Sequence, residues 1–164
     1  MTPTSTTTEP TPRVTISDPG PGAGYGVLGT THVDLLTAEQ TGGRLSLVLA
    51  TVPPGIGPPP HRHGGEDEAF YVLSGTFLFV DVGGGEPEET TCGPGAAVYA
   101  PKGSLHTYRN VGETTGALLV VLTPGGLEQF FRELSALPAG PPDIARIVEI
   151  AGRHQLTFAL GPAS

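Results

Sequence analysis

Residues 55–75 read GIGPPPHRHGGEDEAFYVLSG, and what this stretch can build decides the fold. On an extended backbone successive side chains alternate between faces, so His61 and His63 project to the same side. The Gly64–Gly65 pair lets the chain bend before Glu68 enters the next strand. From there Glu68, Phe70 and Val72 share a face, which sets a carboxylate beside apolar side chains at the mouth of a core. An isolated His-x-His is weak evidence. Followed at this distance by a carboxylate, with glycine at both ends, it is a metal-ligand pattern.

Residues 95–110, GAAVYAPKGSLHTYRN, supply the complement. Pro101 and Gly103 predict a turn, after which His106 opens a strand carrying Tyr108 and Asn110 on its own face. His61, His63, His106 and Glu68 together make a set of three nitrogens and one oxygen. Such a set suits one divalent transition metal (Fe, Mn, Co, Ni, Cu or Zn) and leaves one or two positions for water or substrate. Open positions characterise catalytic sites, whereas structural sites are closed.

The surrounding chain reads as strand, turn, strand. Leu45–Val52, Ala69–Leu73, Phe77–Val82, Ala96–Ala100 and Ala117–Leu122 are short apolar runs bounded by Gly or Pro. Phe77–Val82 is apolar on both faces, which predicts an outer face covered by a helix or another subunit. The acidic run Gly83–Glu89 predicts a solvated hairpin loop. After Pro124 the period changes: Leu127, Phe130, Phe131 and Leu134 form a helical stripe, and Ile144, Ile147, Val148 and Ala151 form another. Asp143 is placed to cap the second helix and Gly152 to end it. Gln155–Leu160 looks extended. These helices are expected to cover a sheet face or a dimer contact, with no chemistry of their own.

Composition narrows the function. In 164 residues, 25 Gly and 18 Pro leave little room for long helices, and charged residues make up only 15%. A net charge of −8 argues against binding nucleic acid or an anionic membrane surface. No apolar run approaches the roughly 20 residues that span a bilayer. Residues 1–13, rich in Thr and Pro, read as a disordered tail without the features of a signal peptide. The single cysteine, Cys92, excludes an internal disulfide and reads as a structural thiol. His32 and His154 stand outside both blocks and read as surface or packing residues. The expectation is a cytoplasmic protein.

The two blocks resemble the cupin family at every defined position of its signatures. Gly55 to Gly75 follows G-x5-H-x-H-x4-E-x6-G, and Gly95 to Asn110 follows G-x5-P-x-G-x2-H-x3-N. The resemblance implies an all-β double-stranded β-helix, an antiparallel jelly-roll barrel with one or two C-terminal helices. It also implies a metal held inside by His61, His63, Glu68 and His106. A single cupin domain over residues 14–164 follows, with a barrel core at about 26–123 and a helical extension at 124–164. The stretch TGGRLSLVLATVPPGIGPPPHRHGGEDEAFYVLSG is also similar to single-domain cupins of the quercetin-dioxygenase type. That likeness implies an oxygenase acting on an aromatic, flavonol or polyketide-like substrate, with O2 as co-substrate. Glu68 would be both ligand and catalytic base, and Phe70, Val72, Tyr108 and part of Phe77–Val82 would form the substrate wall. A non-oxidative polyketide cyclase or isomerase, and a metal-anchored binding module, are the alternatives. Single-domain cupins are usually homodimers, so a homodimer is expected.

Overall fold

A computed structural model of the chain describes residues 13–159. The tail expected over 1–13 lies, but for Arg13, outside the described residues, as does Leu160. Two antiparallel sheets face one another. The six-stranded sheet runs in the order β1 (Tyr25–Val27), β2 (Thr30–Leu36), β3 (Ser46–Val52), β10 (Gly116–Thr123), β5 (Asp67–Ser74), β8 (Ala97–Ala100). The five-stranded sheet runs β11 (Leu156–Phe158), β4 (His61–His63), β9 (His106–Asn110), β6 (Phe77–Asp81), β7 (Glu88–Cys92). This is the expected jelly roll. Three helices complete it: α1 (Ala38–Thr41), α2 (Glu128–Ser135) and α3 (Ile144–Arg153).

Period-two alternation produces the core. In β3 every second residue, Ser46, Val48, Ala50 and Val52, is buried, and Gly116, Leu118, Val120 and Leu122 of β10 follow suit. Their outward neighbours, such as Leu49 and Leu119, are half-buried. In β6, Phe77 and Phe79 point inward, and the outward Leu78 and Val80 share a shallow groove with Pro58–Pro60. Where a helix or another subunit was expected to cover that face, a loop of the same chain lies beside it. The acidic run forms the hairpin turn as expected, but Glu88 and Glu89 already belong to β7, an exposed edge strand with no apolar alternation to betray it.

Both C-terminal helices form where expected, except that α3 runs through Gly152, expected to end it, to Arg153 with His154 at its C-cap. Asp143 caps α3 by accepting from Arg146 N at 3.0 Å. The stripe of α2 is not left for a dimer contact: Leu127, Phe130 and Leu134 are buried within the chain. A buried carboxylate seats this helix. Glu128 accepts from Ala38 N at 2.8 Å, from Gly126 N at 2.9 Å and from the Ser46 hydroxyl. Arg132 adds a 2.6 Å ion pair to Asp34 of β2. The last strand, β11, pairs with β4, setting Leu156 opposite His63 and Phe158 opposite His61.

Candidate metal centre

The expected quartet converges. His61 and His63 come from β4, and His106 stands directly opposite His61 on β9. Glu68 reaches them from β5 in the facing sheet. All four are buried, between 3% and 8% exposed. Their ligand atoms lie within 4.8 Å of one another. Glu68 Oε2 is 4.0 Å from His61 Nε2, 3.0 Å from His63 Nε2 and 3.1 Å from His106 Nε2. Two donors bound to one ion at about 2.1 Å sit roughly 3.0 Å apart at a right angle and about 3.4 Å apart at the tetrahedral angle. The observed spacings fit a shared ion.

The imidazoles are also aimed. His61 Nδ1 faces Pro59 O at 3.0 Å and His106 Nδ1 faces Ser104 O at 3.3 Å, so both donate there and turn bare Nε2 atoms inward. His63 Nδ1 has a carboxylate instead, Glu66 Oε2 at 3.8 Å. His63 Nε2, although 3.0 Å from Glu68, lacks the alignment of a hydrogen bond, so this buried nitrogen has no protein partner. An orphaned ring nitrogen at the centre of such a cluster has the lone pair and the position to bind a metal ion.

Two glycines let the backbone deliver these groups. A Cβ on Gly57 would lie 1.9 Å from the Tyr108 carbonyl oxygen, so only glycine lets the Pro58–Pro60 segment run against β9 into His61. Gly103, at φ +86°, makes the left-handed turn that carries β8 toward His106, and its amide donates to His63 O at 2.8 Å. The motif residue Asn110 is a staple. Its fully buried side chain donates to Val52 O at 2.8 Å and Thr114 O at 2.9 Å and accepts from Gly112 N at 2.9 Å.

Without an ion the quartet holds an internal ion pair. Burial works against charge on His63, yet Glu66 and Glu68 outweigh it and raise its pKa to about 9. Burial lowers His61 to about 4, and the neighbouring imidazoles add to that against the pull of Glu68. Burial would raise Glu68, but the imidazoles of His106 and His63 at 3.1 and 3.0 Å, the latter protonated, hold it well below the usual carboxylate range. One proton therefore sits on His63, and Glu68 stays ionised.

A cavity of about 120 Å³ opens beside the quartet, with His61, His63 and Glu68 on its lining. The rest is mostly apolar, and among the described residues no Lys or Arg lines it. Of the expected wall residues, Tyr108 faces this cavity and Phe70 and Val72 do not. Phe70 packs between the Phe79, Tyr108 and His106 rings at centroid distances of 5.2, 5.4 and 6.2 Å, behind the ligands. Val72 is sealed in the core, and Phe77–Val82 also stays off the lining. The wall comes instead from Val27, Thr30 and His32 on the N-terminal side and Phe130, Phe131 and Phe158 on the C-terminal side. His32, expected to be a surface or packing residue, is 6% exposed and lines the cavity. His154 is a packing residue as expected, paired with Glu133 at 2.8 Å. Cys92 is half-buried and free.

Residues 48–122 match the family described as Cupin domain, so the chain carries a cupin domain there. Similar solved structures include a predicted oxalate decarboxylase from Thermotoga maritima, 26% identical, covering 58% of this chain and 80% of that one, with a TM-score of 0.53. A recombinant oxalate oxidase in complex with glycolate is 26% identical over 59% of this chain and 53% of its own, at 0.52. The polyketide cyclase RemF from Streptomyces resistomycificus is 29% identical over 68% of this chain and 78% of its own, at 0.50. No curated protein matches the sequence. Among the described residues no helix is long and apolar enough to cross a membrane.

Proposed function

We propose that the chain is a metal-dependent cupin enzyme, a dioxygenase of the quercetin-dioxygenase type acting on an aromatic or enolic substrate. The observation that carries this reading is a three-histidine, one-carboxylate cluster on the lining of an apolar cavity that contains no fixed cation. An oxalate-like dianion would find no counter-charge there beyond the metal, so the chemistry of the oxalate enzymes is not carried over. A volume near 120 Å³ suits one aromatic ring, since a dry apolar cavity of roughly 150 Å³ takes benzene. A flavonol or polyketide-like chain would seat one ring inside and leave the remainder at the mouth.

When bound, the metal would supply a Lewis acid for the substrate oxygen and, if redox-active, a path for electrons from the substrate to O2. His61, His63, Glu68 and His106 would hold it. Glu68, kept ionised, accepts the proton of the substrate hydroxyl. Tyr108 and the Phe130–Phe131 wall orient the ring and exclude water. A second reading, a non-oxidative polyketide cyclase, uses the same residues and draws support from the similarity to RemF. Elemental analysis of the native protein, combined with oxygen uptake over a panel of phenols, flavonols and poly-β-carbonyl compounds, separates the two. Turnover without O2 consumption would select the cyclase. Wild-type metal content in His63→Ala would sink the four-ligand site.

We place the protein in the cytoplasm, a setting that its lone free thiol suits. We also infer a homodimer. With the α2 stripe buried, the support now comes from the outer face of the six-stranded sheet, where Tyr71, Leu73 and Tyr99 (62% exposed) lie together on β5 and β8. Light scattering that returned a monomer mass at micromolar concentration would contradict it.

A further inference from the structure

His32 sits on the same cavity as the quartet, on β2, which is three strands from β5 within the six-stranded sheet. Its protonation pattern is readable from its neighbours. The Thr30 hydroxyl donates its one proton to Val27 O at 2.6 Å. Thr30 Oγ1 also lies 3.1 Å from His32 Nε2, and toward that nitrogen it can only accept. The proton of the neutral ring is therefore on Nε2, and Nδ1 carries a bare lone pair. Nδ1 is buried and has no partner among the described residues. Phe131 packs edge-on against the ring at 4.6 Å and fixes its plane. Burial, lowering the pKa to about 4, keeps the imidazole neutral. A buried acceptor, fixed in orientation and without a donor, on the wall of an apolar cavity is the mark of a ligand contact.

We infer that His32 Nδ1 accepts a hydrogen bond from a hydroxyl or N–H group of the substrate, at a point on the ring away from the oxygen that meets the quartet. This rests on the reading that the cavity takes an aromatic or enolic substrate, and it narrows that class to molecules with a second donor. His32 is thus a specificity-determining residue, and Thr30 a positioning residue that sets its tautomer.

The test compares resorcinol with 3-methoxyphenol, which keeps one hydroxyl for the quartet but lacks the second donor, by NMR titration of the full-length protein, zinc-loaded and metal-free. Wild type is expected to prefer resorcinol about fivefold, the equivalent of one net hydrogen bond. In His32→Phe that preference disappears, while 3-methoxyphenol binding and zinc content persist. Thr30→Val serves as a second variant should His32→Phe fold poorly; it releases the tautomer and reduces the same preference. The ¹⁵N resonance of His32 Nδ1 should report a bare acceptor in the free protein and shift on resorcinol addition. A resorcinol preference that survives both variants overturns the role of His32 and leaves the aromatic-substrate reading intact. Failure of both compounds to bind a zinc-loaded wild type overturns both. A protonated Nδ1 in the free protein, or loss of zinc from His32→Phe, overturns the assignment alone.

Discussion

The stretch 48–122 and the two flanks around it contribute differently to one cavity. Among the described residues, the cupin stretch supplies the four groups that could hold an ion: His61, His63, Glu68 and His106. The flanks supply His32, Thr30, Phe130, Phe131 and Phe158, which face the same space. The family match therefore covers the candidate metal centre, and on the proposed reading substrate choice would rest with segments outside that match. The flanks do one further job, because β11 pairs with β4 and so backs the strand that carries two ligands.

The largest effect is expected inside the cupin stretch. Glu68→Gln keeps an amide oxygen for the metal but cannot usefully accept a proton at neutral pH. Loss of a general base costs on the order of 10²–10⁴ in rate. Metal content near wild type with turnover reduced on that scale would support the dual role of Glu68. Oxygen uptake near the wild-type rate in a metal-loaded variant would rule it out as the base.

A flank should respond in the opposite way. Phe130, buried at the base of α2, lines the cavity away from the ligand atoms. Phe130→Ala should lower the unfolding free energy by about 3–5 kcal/mol, as truncation of a core phenylalanine does. Metal affinity, measured by competition with a chelator, should stay in place. If metal is lost along with stability, the division between stretch and flank fails.

Acid titration sharpens the contrast further. The folded pKa of His32, about 4, lies below its ordinary value of 6.5. The unfolded chain then binds the proton first as pH falls, so the associated stability is present above about pH 6.5 and is lost progressively toward pH 4. A shift of that size corresponds to roughly 3 kcal/mol at most. His61 has the same sign but becomes unavailable to protons when it ligates a metal. The metal-loaded protein should therefore keep the His32 contribution, and His32→Phe should flatten its acid limb in denaturant titrations. An unchanged limb would show that His32 titrates normally.

How far these parts could be read beforehand follows from the range of the interactions that make them. His61 and His63 were legible because two-residue spacing in β4 puts them on one side by local geometry, whereas the meeting of His106 from β9 and Glu68 from the facing sheet is tertiary and was readable only through the resemblance of both blocks to the cupin signatures. The caps and stripes of α2 and α3 are local in the way the β4 pair is. His32 was not legible. Nothing in Thr30-Thr31-His32-Val33-Asp34 marks it, and its place depends on β2 lying against β3, where His32 pairs with Ala50. Phe70 and Val72 show a subtler limit: alternation correctly turned them inward with Glu68, but it reports side and not depth. Glu68 sits at the cavity and the next two inward residues sit behind it.

Glu66 tests whether the cupin stretch itself is fully read, since it belongs to the first block yet had no assigned role. Its carboxylate, 3.8 Å from His63 Nδ1, acts in two opposed ways. It orients the ring with Nε2 inward, and partners of this kind are worth about 10–100-fold in metal affinity. It also helps raise His63 to about 9, so that at neutral pH an incoming metal must displace a proton. Removing Glu66 loses the orientation and relieves the proton competition together. Above pH 9 His63 is largely neutral in either protein, so Glu66→Ala should show its full loss of affinity there. At pH 7 the loss should be smaller, and fewer protons should be released per metal bound. Chelator-buffered zinc titrations at both pH values, with proton release followed in weak buffer, measure the two effects separately. Equal affinity for wild type and Glu66→Ala above pH 9 would remove Glu66 from the site and leave the four ligands oriented by Pro59, Ser104 and the barrel alone.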